Sequence, residues 1–300
     1  MIVNSENLAK LRVGFNASMQ RGQQGVAAPT SHRIAMRVPS TTKEQRYGFL
    51  KKLPNVREWI GDRVVHNISE SDFSIREKPW ELTVGVDRDD IETDNLGQYA
   101  LMFEGMGEST ISKPEQLVWG LLKAGFDTIC YDGQYFFDTD HPVLAEDGVT
   151  VGSVANTDGG SGTPWFLLDV RGIFKPIIRQ VRREFGDIVS KDKETDDNVF
   201  SRKEFVYGVD ARMNVGFGFW QKAWGSKQTL DAAHYKAGFA ALEGMKGDHG
   251  RPIGAAPNLL VVPPSLREAG LELLNAERDA SGATNVWKGT AELLVVPWLA

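Results

Sequence analysis

Apolar and polar residues alternate through most of the stretch from residue 62 to residue 88, and this limits what the chain can fold into more than any other feature. Val64, His66 and Ile68 alternate, Ser69, Glu70, Ser71 and Asp72 make a polar turn, and Phe73 and Ile75 alternate again. Trp80, Leu82, Val84 and Val86 then add four positions at a spacing of two. That period sends successive side chains to opposite faces of a strand, so the stretch predicts a long β-hairpin with one apolar face. Two strands alone are marginal in water. The apolar face therefore needs cover, and the simplest source is the body of the same chain.

Upstream, Leu8, Leu11 and Phe15 recur at helical spacing behind Asn4 and Ser5 and predict a short amphipathic helix. From Arg21 to Pro29 the chain turns to Gly, Gln, Ala and Pro. This reads as an arm on a tether, because one apolar stripe cannot bury itself. Thr41, Thr42, Lys43 and Glu44 have the pattern of a capping box and predict a second helix, ended by Pro54. Asp89, Asp90 and Glu92 stand where a helix N-terminus favours negative charge. The helix they open runs through Leu96, Tyr99, Phe103 and Met106, is kinked or interrupted near Pro114, and resumes through Leu117, Val118, Leu121 and Leu122 before Gly125.

Residues 131–137 read as a turn into a strand, and 151–163, rich in Gly, Ser, Thr and Asp, as a surface loop. Strand patterns come next at 165–168, 174–178, 205–209 and 215–220, with a charged loop at 190–197. A helix from about Leu230 to Met245 carries Ala233, Ala237, Ala240 and Ala241, small residues that permit close packing. An α/β unit closes the chain, with a strand at 259–262, a helix capped by Ser265 and running to Ala276, and a strand at 293–296.

The chain has 300 residues with 34 Lys+Arg against 40 Asp+Glu, a net charge of -6. Neither this balance nor any basic block supplies the clustered positive charge that a dedicated nucleic-acid binder needs, and it disfavours anionic membranes. A hydrophobic fraction of 41% and a charged fraction of 25% are ordinary for a chain that buries a sizeable core. The 31 glycines, a share above the usual ~7%, point to many turns and hinges. Cys130 is the only cysteine, which excludes an intramolecular disulfide framework and a four-cysteine zinc site. The first residues lack the pattern of a secretion signal, and no run approaches the ~18 apolar residues that span a bilayer.

Motifs that would carry chemistry are few. Asp138, Asp140 and His141, with Asp132 nearby, form the best metal-like cluster, and a metal-dependent hydrolase centred on Asp138, Asp140 and His141 is the alternative function they suggest. A run of this kind before a proline also reads as a turn whose Asp side chains bond their own backbone, and no spaced motif accompanies it. Asp248, His249 and Gly250 read as a loop. The glycines at 159–162 have no following Lys-Ser/Thr and so make no P-loop, and Gly216 and Gly218 lack the third glycine of a dinucleotide fingerprint. Cys130 has no neighbouring base and reads as buried and inert. The eight tryptophans, without interleaved Lys or Arg, read as core or interface anchors.

The order of elements, together with several local stretches, resembles the major head (capsid) subunit of Mu-like tailed phages and prophages. The stretches are 35–42, 47–56, Trp59 to Arg63, 86–91 with Asp94, Asn95, Leu96 and Gly97, 131–137 followed by Asp140, His141 and Pro142, Lys175 to Ile178, 207–220 and 259–264. They lie in order along nearly the whole chain. The resemblance implies an α+β fold of the Hong Kong 97 phage capsid type. It implies an N-terminal arm (1–40), a capping helix and extended loop (41–88), a peripheral domain with a long spine helix (89–225, axial segments interleaved) and an axial domain (226–300).

It also implies no catalysis, no cofactor and no metal, but a structural protein assembling with itself as hexamers and pentamers into an icosahedral shell around double-stranded DNA. The partners implied are a scaffold protein, a portal and a maturation protease, with DNA held without sequence-specific binding and no membrane. The place implied is the virion capsid, assembled in the bacterial host cytoplasm. The apolar ribbon then takes its cover from the next copy, and Trp59, Arg63, Phe73 and Trp80 are the expected inter-subunit contacts. The arm residues 19–25 are less aromatic than is usual in the family, and the start at Met1 reads as a complete gene product without a cleaved scaffolding segment. A net charge of -6 suits a container whose wall must not hold its contents through many phosphate contacts.

Overall fold

A computed structural model describes residues 2–50, 73–93, 96–279 and 281–300. The chain opens with α1 (Ser5–Gly25), capped by Asn4, whose side-chain oxygen accepts the Asn7 N–H at 2.8 Å. Short strands β1 (Ala35–Pro39), β2 (Glu44–Arg46) and β3 (Ser74–Arg76) lead to the long β4 (Lys78–Asp87). A single helical turn or so, α2 (Arg88–Glu92), precedes α3 (Gly97–Lys123).

Two sequence expectations fail here. Residues 21–25 are helix and not tether, because α1 packs along α3: Gly22 lies so close to the Glu104 carbonyl, and Gly107 to the Met19 carbonyl, that a Cβ on either would overlap backbone. Phe15 stacks on Phe103 at 4.1 Å, and Arg21 pairs with Glu104 at 2.9 Å. Residues 41–46 are not helical either. The Thr42 hydroxyl donates to the Glu44 carbonyl at 2.7 Å, and β2 pairs antiparallel with β3, so the capping box never forms. Pro54, Trp59, Arg63 and the alternation at 64–68 lie outside the described residues.

The helix α3 continues through Pro114 without a break. Buried Met106 and Thr110 before the proline, and Glu115, Val118 and Trp119 after it, hold both halves against the rest of the chain. Glu115 also anchors the segment that leaves the C-terminal end of α1. Its carboxylate accepts the Thr30 N–H at 3.0 Å, the Ser31 N–H at 2.9 Å and the Trp119 indole N–H at 3.1 Å.

Then come β5 (His141–Leu144), β6 (Val151–Val154), β7 (Thr157–Gly160), β8 (Trp165–Leu168), β9 (Ile177–Arg183) and β10 (Val189–Lys191). The expected loop at 151–163 therefore contains two strands. Pairing with β5 and with a later strand overrides the weak strand propensity of the Gly-rich run. The charged stretch at 190–197 likewise contributes to β10 and to α4 (Asp197–Arg202).

The strand β11 (Glu204–Phe217) is one continuous element where two were expected, since Ala211 and Met213 carry the buried alternation across its polar middle. The chain ends with β12 (Ala223–Lys227), α5 (Ala232–Glu243), β13 (Leu259–Val262), α6 (Arg267–Asn275) and β14 (Glu292–Val295). The last helix starts two residues after Ser265, which is not its cap.

Two five-stranded sheets organise these elements. In the first, β11 is the hub: β4 runs antiparallel along one edge, β10 and β9 antiparallel along the other, and β1 lies parallel outside β9. The second has the order β14-β13-β8-β12-β7. Its inner strands and the C-terminal half of α3 share the largest core with Phe136, Phe137, Phe217 and Trp220. A second core joins α1 and the N-terminal half of α3 to Val84, Val86, Phe205, Tyr207 and Val209.

This corrects the expectation for residues 78–87. They form no free ribbon but a strand of the first sheet, and the apolar face of Val84 and Val86 is covered by the chain's own α1 and α3. A partner strand and a helix pair from the same chain supply what a lone hairpin lacks.

Candidate functional site

The turn at 130–141 gathers the residues that suggested chemistry. His141, the first residue of β5, is fully buried; its Nδ1 lies 2.7 Å from Asp132 Oδ2 and its Nε2 3.2 Å from Asn156 Oδ1. The ring stacks on Trp220 at 3.9 Å, with planes 8° apart. Asp132 Oδ1 accepts the Cys130 S–H at 3.0 Å and the Gln134 N–H at 3.1 Å. Desolvation pushes the Asp132 carboxyl up, but hydrogen bonds from His141 and Cys130 outweigh it and hold the group below the usual range. Burial, reinforced by Asp132, drives the Cys130 thiol far above its ordinary value, so it is no nucleophile.

Asp138 and Asp140 do not join this group. Asp138 accepts the Tyr135 and Thr139 N–H groups at 3.2 and 2.7 Å, as the turn reading requires, and Asp140 is exposed beside Ser153. The Cys130, Asp132 and His141 ligand atoms lie within 4.8 Å of one another. They are nevertheless closed on each other by hydrogen bonds, whereas two ligands on a tetrahedral zinc stand about 3.4 Å apart. The geometry is that of a buried structural cluster. Asn156 and Trp220 complete it, and sequence reasoning missed both because no local spacing links them to residue 141.

The other motifs are parts of the framework, with Gly160 ending β7, Gly216 inside β11 and Asp248 in a turn. Gly160 has φ +95 beside the Lys227 backbone, and Asp248 accepts the Leu144 N–H at 3.0 Å. Trp119, Trp165 and Trp220 are core anchors. Among the described residues no helix is long and apolar enough to cross a membrane.

Of the four contact candidates, Trp59 and Arg63 lie outside the described residues. Phe73 is half-buried against Tyr47 and Tyr131, with ring centroids at 6.5 and 6.4 Å. Trp80 is half-buried; its indole N–H donates to the Met213 carbonyl at 3.0 Å and Lys113 Nζ sits 4.0 Å above its ring. Phe200 was not singled out by sequence. It is 88% exposed on α4, a stub pinned by Asn198 Nδ2 donating to the Lys191 and Glu204 carbonyls at 3.0 and 2.6 Å.

The model of a family described as the Mu-like prophage major head subunit gpT matches residues 8–299. The chain belongs to this family. The head subunit is 39% identical to the major capsid protein of Escherichia phage Mu, with 100% of each chain covered. It is 40% identical to the Mu-like prophage FluMu major head subunit of Haemophilus influenzae, covering 95% of this chain and 94% of that one. A chain from the procapsid of bacteriophage JBD30 matches with a TM-score of 0.85 and 39% identity, over 99% of the head subunit and 100% of that chain.

The fold is thus the α+β fold of Hong Kong 97-like phage capsid proteins, and the head subunit is a structural capsid protein, not an enzyme. The hydrolase alternative on Asp138, Asp140 and His141 falls with it, for the physical reason already visible: the three side chains face three different sets of partners.

Proposed function

We propose that the head subunit assembles with copies of itself, as hexamers and pentamers, into a closed icosahedral head around double-stranded DNA. Assembly takes place in the host cytoplasm with a scaffold protein, a portal and a maturation protease. The observation that carries this reading is the end-to-end likeness, in sequence and in fold, to a procapsid chain. Identical chains joined by heterologous contacts close into rings, and a shell of rings needs extended segments that reach from one copy to the next. Each lasting contact buries roughly 1,200 Å² or more in total.

In this reading residues 1–40 are the arm, rooted by the packing of α1 on α3, and 41–88 the extended loop, whose last strand, β4, is built into the first sheet; 89–225 are the peripheral part and 226–300 the axial part. Trp59, Arg63, Phe73 and Trp80 meet neighbouring copies, and Phe200 joins them as a preorganised exposed aromatic. A net charge of -6 keeps the packed nucleic acid from adhering to the wall.

Negative-stain microscopy of the full-length subunit co-expressed with its scaffold tests the proposal. Uniform closed particles are the expected outcome; monomers or small rings at every concentration reject it. Alanine at Trp59, Arg63 or Phe200 is expected to lower particle yield while leaving the melting temperature of the unassembled subunit unchanged.

A further inference from the structure

We propose that His141 is held as a doubly protonated imidazolium, a buried charge that latches the 130–141 turn and the β5–β6 hairpin to the core. Asn156 decides the geometry. Its Nδ2 donates to the Phe136 carbonyl at 2.8 Å and to the Trp220 carbonyl at 3.4 Å, while its Oδ1 accepts the Asp138 N–H at 2.9 Å. Backbone groups cannot exchange donor and acceptor roles, so the orientation of this amide is fixed. An acceptor oxygen therefore faces His141 Nε2 at 3.2 Å, and a carboxylate oxygen faces Nδ1 at 2.7 Å.

A neutral imidazole has one N–H and one lone pair. Either tautomer would turn a lone pair onto an oxygen, whereas the imidazolium donates to both. The remaining way out, a proton on Asp132, is opposed by the Gln134 N–H and the Cys130 S–H, both of which donate to the other oxygen of that carboxylate. The parallel indole of Trp220 at 3.9 Å adds a face that favours a cation.

The charged and titratable neighbours fit this assignment. The Asp138 carboxylate is taken up by the Tyr135 and Thr139 amides, Asp140 meets Ser153, Asp248 accepts the Leu144 N–H, and the Tyr131 hydroxyl donates to Gln221 at 3.0 Å. None of these brings a second cation to the ring. The His141 ring thus ties together three segments: the turn at 130–141, Asn156 between β6 and β7, and Trp220.

Ring-nitrogen NMR of the full-length unassembled subunit, labelled with ¹⁵N-histidine and held at neutral pH, tests the assignment, with His141→Gln identifying the resonances. Both His141 nitrogens are expected to carry bonded protons. A spectrum with one bare nitrogen overturns the proposal, and this reading on the wild-type chain does not depend on any variant folding. Asp132→Asn keeps the shape and removes the anion. It is expected to leave His141 with one protonated nitrogen and to speed amide exchange across 130–156 about a hundredfold, with β8 and β13 unchanged. Unaltered exchange in a folded Asp132→Asn subunit overturns the latch.

Discussion

The two five-stranded sheets are built on different terms. Every residue of β8 and of β13 is buried, so the inner strands of the second sheet are enclosed on both faces. The first sheet alternates: Phe205, Tyr207, Val209, Ala211 and Met213 on β11 are buried, while Val206, Gly208 and Asp210 between them are only partly covered. One face lies under α1 and α3; the other carries polar groups such as Asp210, paired with Arg183 at 3.0 Å, and Thr83, whose hydroxyl donates to Glu81 at 2.7 Å. Continuous apolar runs and alternating ones thus record how many sides of a sheet are enclosed. The enclosed sheet has no slack, whereas the half-open sheet depends on a helix pair that can be lost separately.

That difference can be broken by mutation. Leu260→Ala, in the middle of β13, is expected to cost about 2–5 kcal/mol in denaturant unfolding, and Val209→Ala, under the helix pair, about 2 kcal/mol. Leucine loses one carbon more than valine, worth about 0.8 kcal/mol, so a difference no larger than that would mean that the two sites are enclosed alike. Gly107→Val drives a side chain into the Met19 carbonyl and is expected to cost about 1–3 kcal/mol. Its signature is faster hydrogen exchange over 5–25 and over β4, with β8 and β13 unaffected; a uniform increase would show that the helix pair and the second sheet unfold as one unit.

Glu115 sharpens the comparison through pH. Burial raises its carboxyl, but bonds from Ser31, Thr30 and Trp119 prevail and hold it below the ordinary glutamate value. A depressed folded value means stability that is present above the unfolded value and lost as the pH falls through the folded one. Acid is therefore expected to release the segment behind α1 ahead of the second sheet, and Glu115→Gln to cost about 1–3 kcal/mol at neutral pH and to remove that acid step in a pH series of melts. The smallest effect belongs to the open face, where Thr83→Ala is expected to stay within about 0.5 kcal/mol.

Much of this was legible in the residues. The apolar stripe of α1, the long α3, α5, β13, β14 and the alternation of β4 all come from local period, and the family resemblance rested on stretches spread over the chain. The candidate site was legible only in its negative: a turn of self-bonding Asp side chains, a buried inert Cys130 and no catalytic spacing. Elements whose stability comes from distant partners were illegible. The strands β6 and β7 have a loop's composition and are strands because β5 and β12 pair with them. Residues 41–44 spell a capping box, yet β3 captures the segment for a sheet.

Sequence alone determined which faces are apolar, because side-chain period is a local property of the backbone. It also determined the family, because similarity runs the length of the chain. Only the tertiary structure decided what covers those faces. The β4 face turned out to be sheltered by α1 and α3 of its own chain, since the glycines at 22 and 107 let two helices approach more closely than any side chain would permit. It also brought His141, Asp132, Asn156 and Trp220 together. A contact between residues far apart in the chain depends on the path of everything between them, and no local pattern encodes that path.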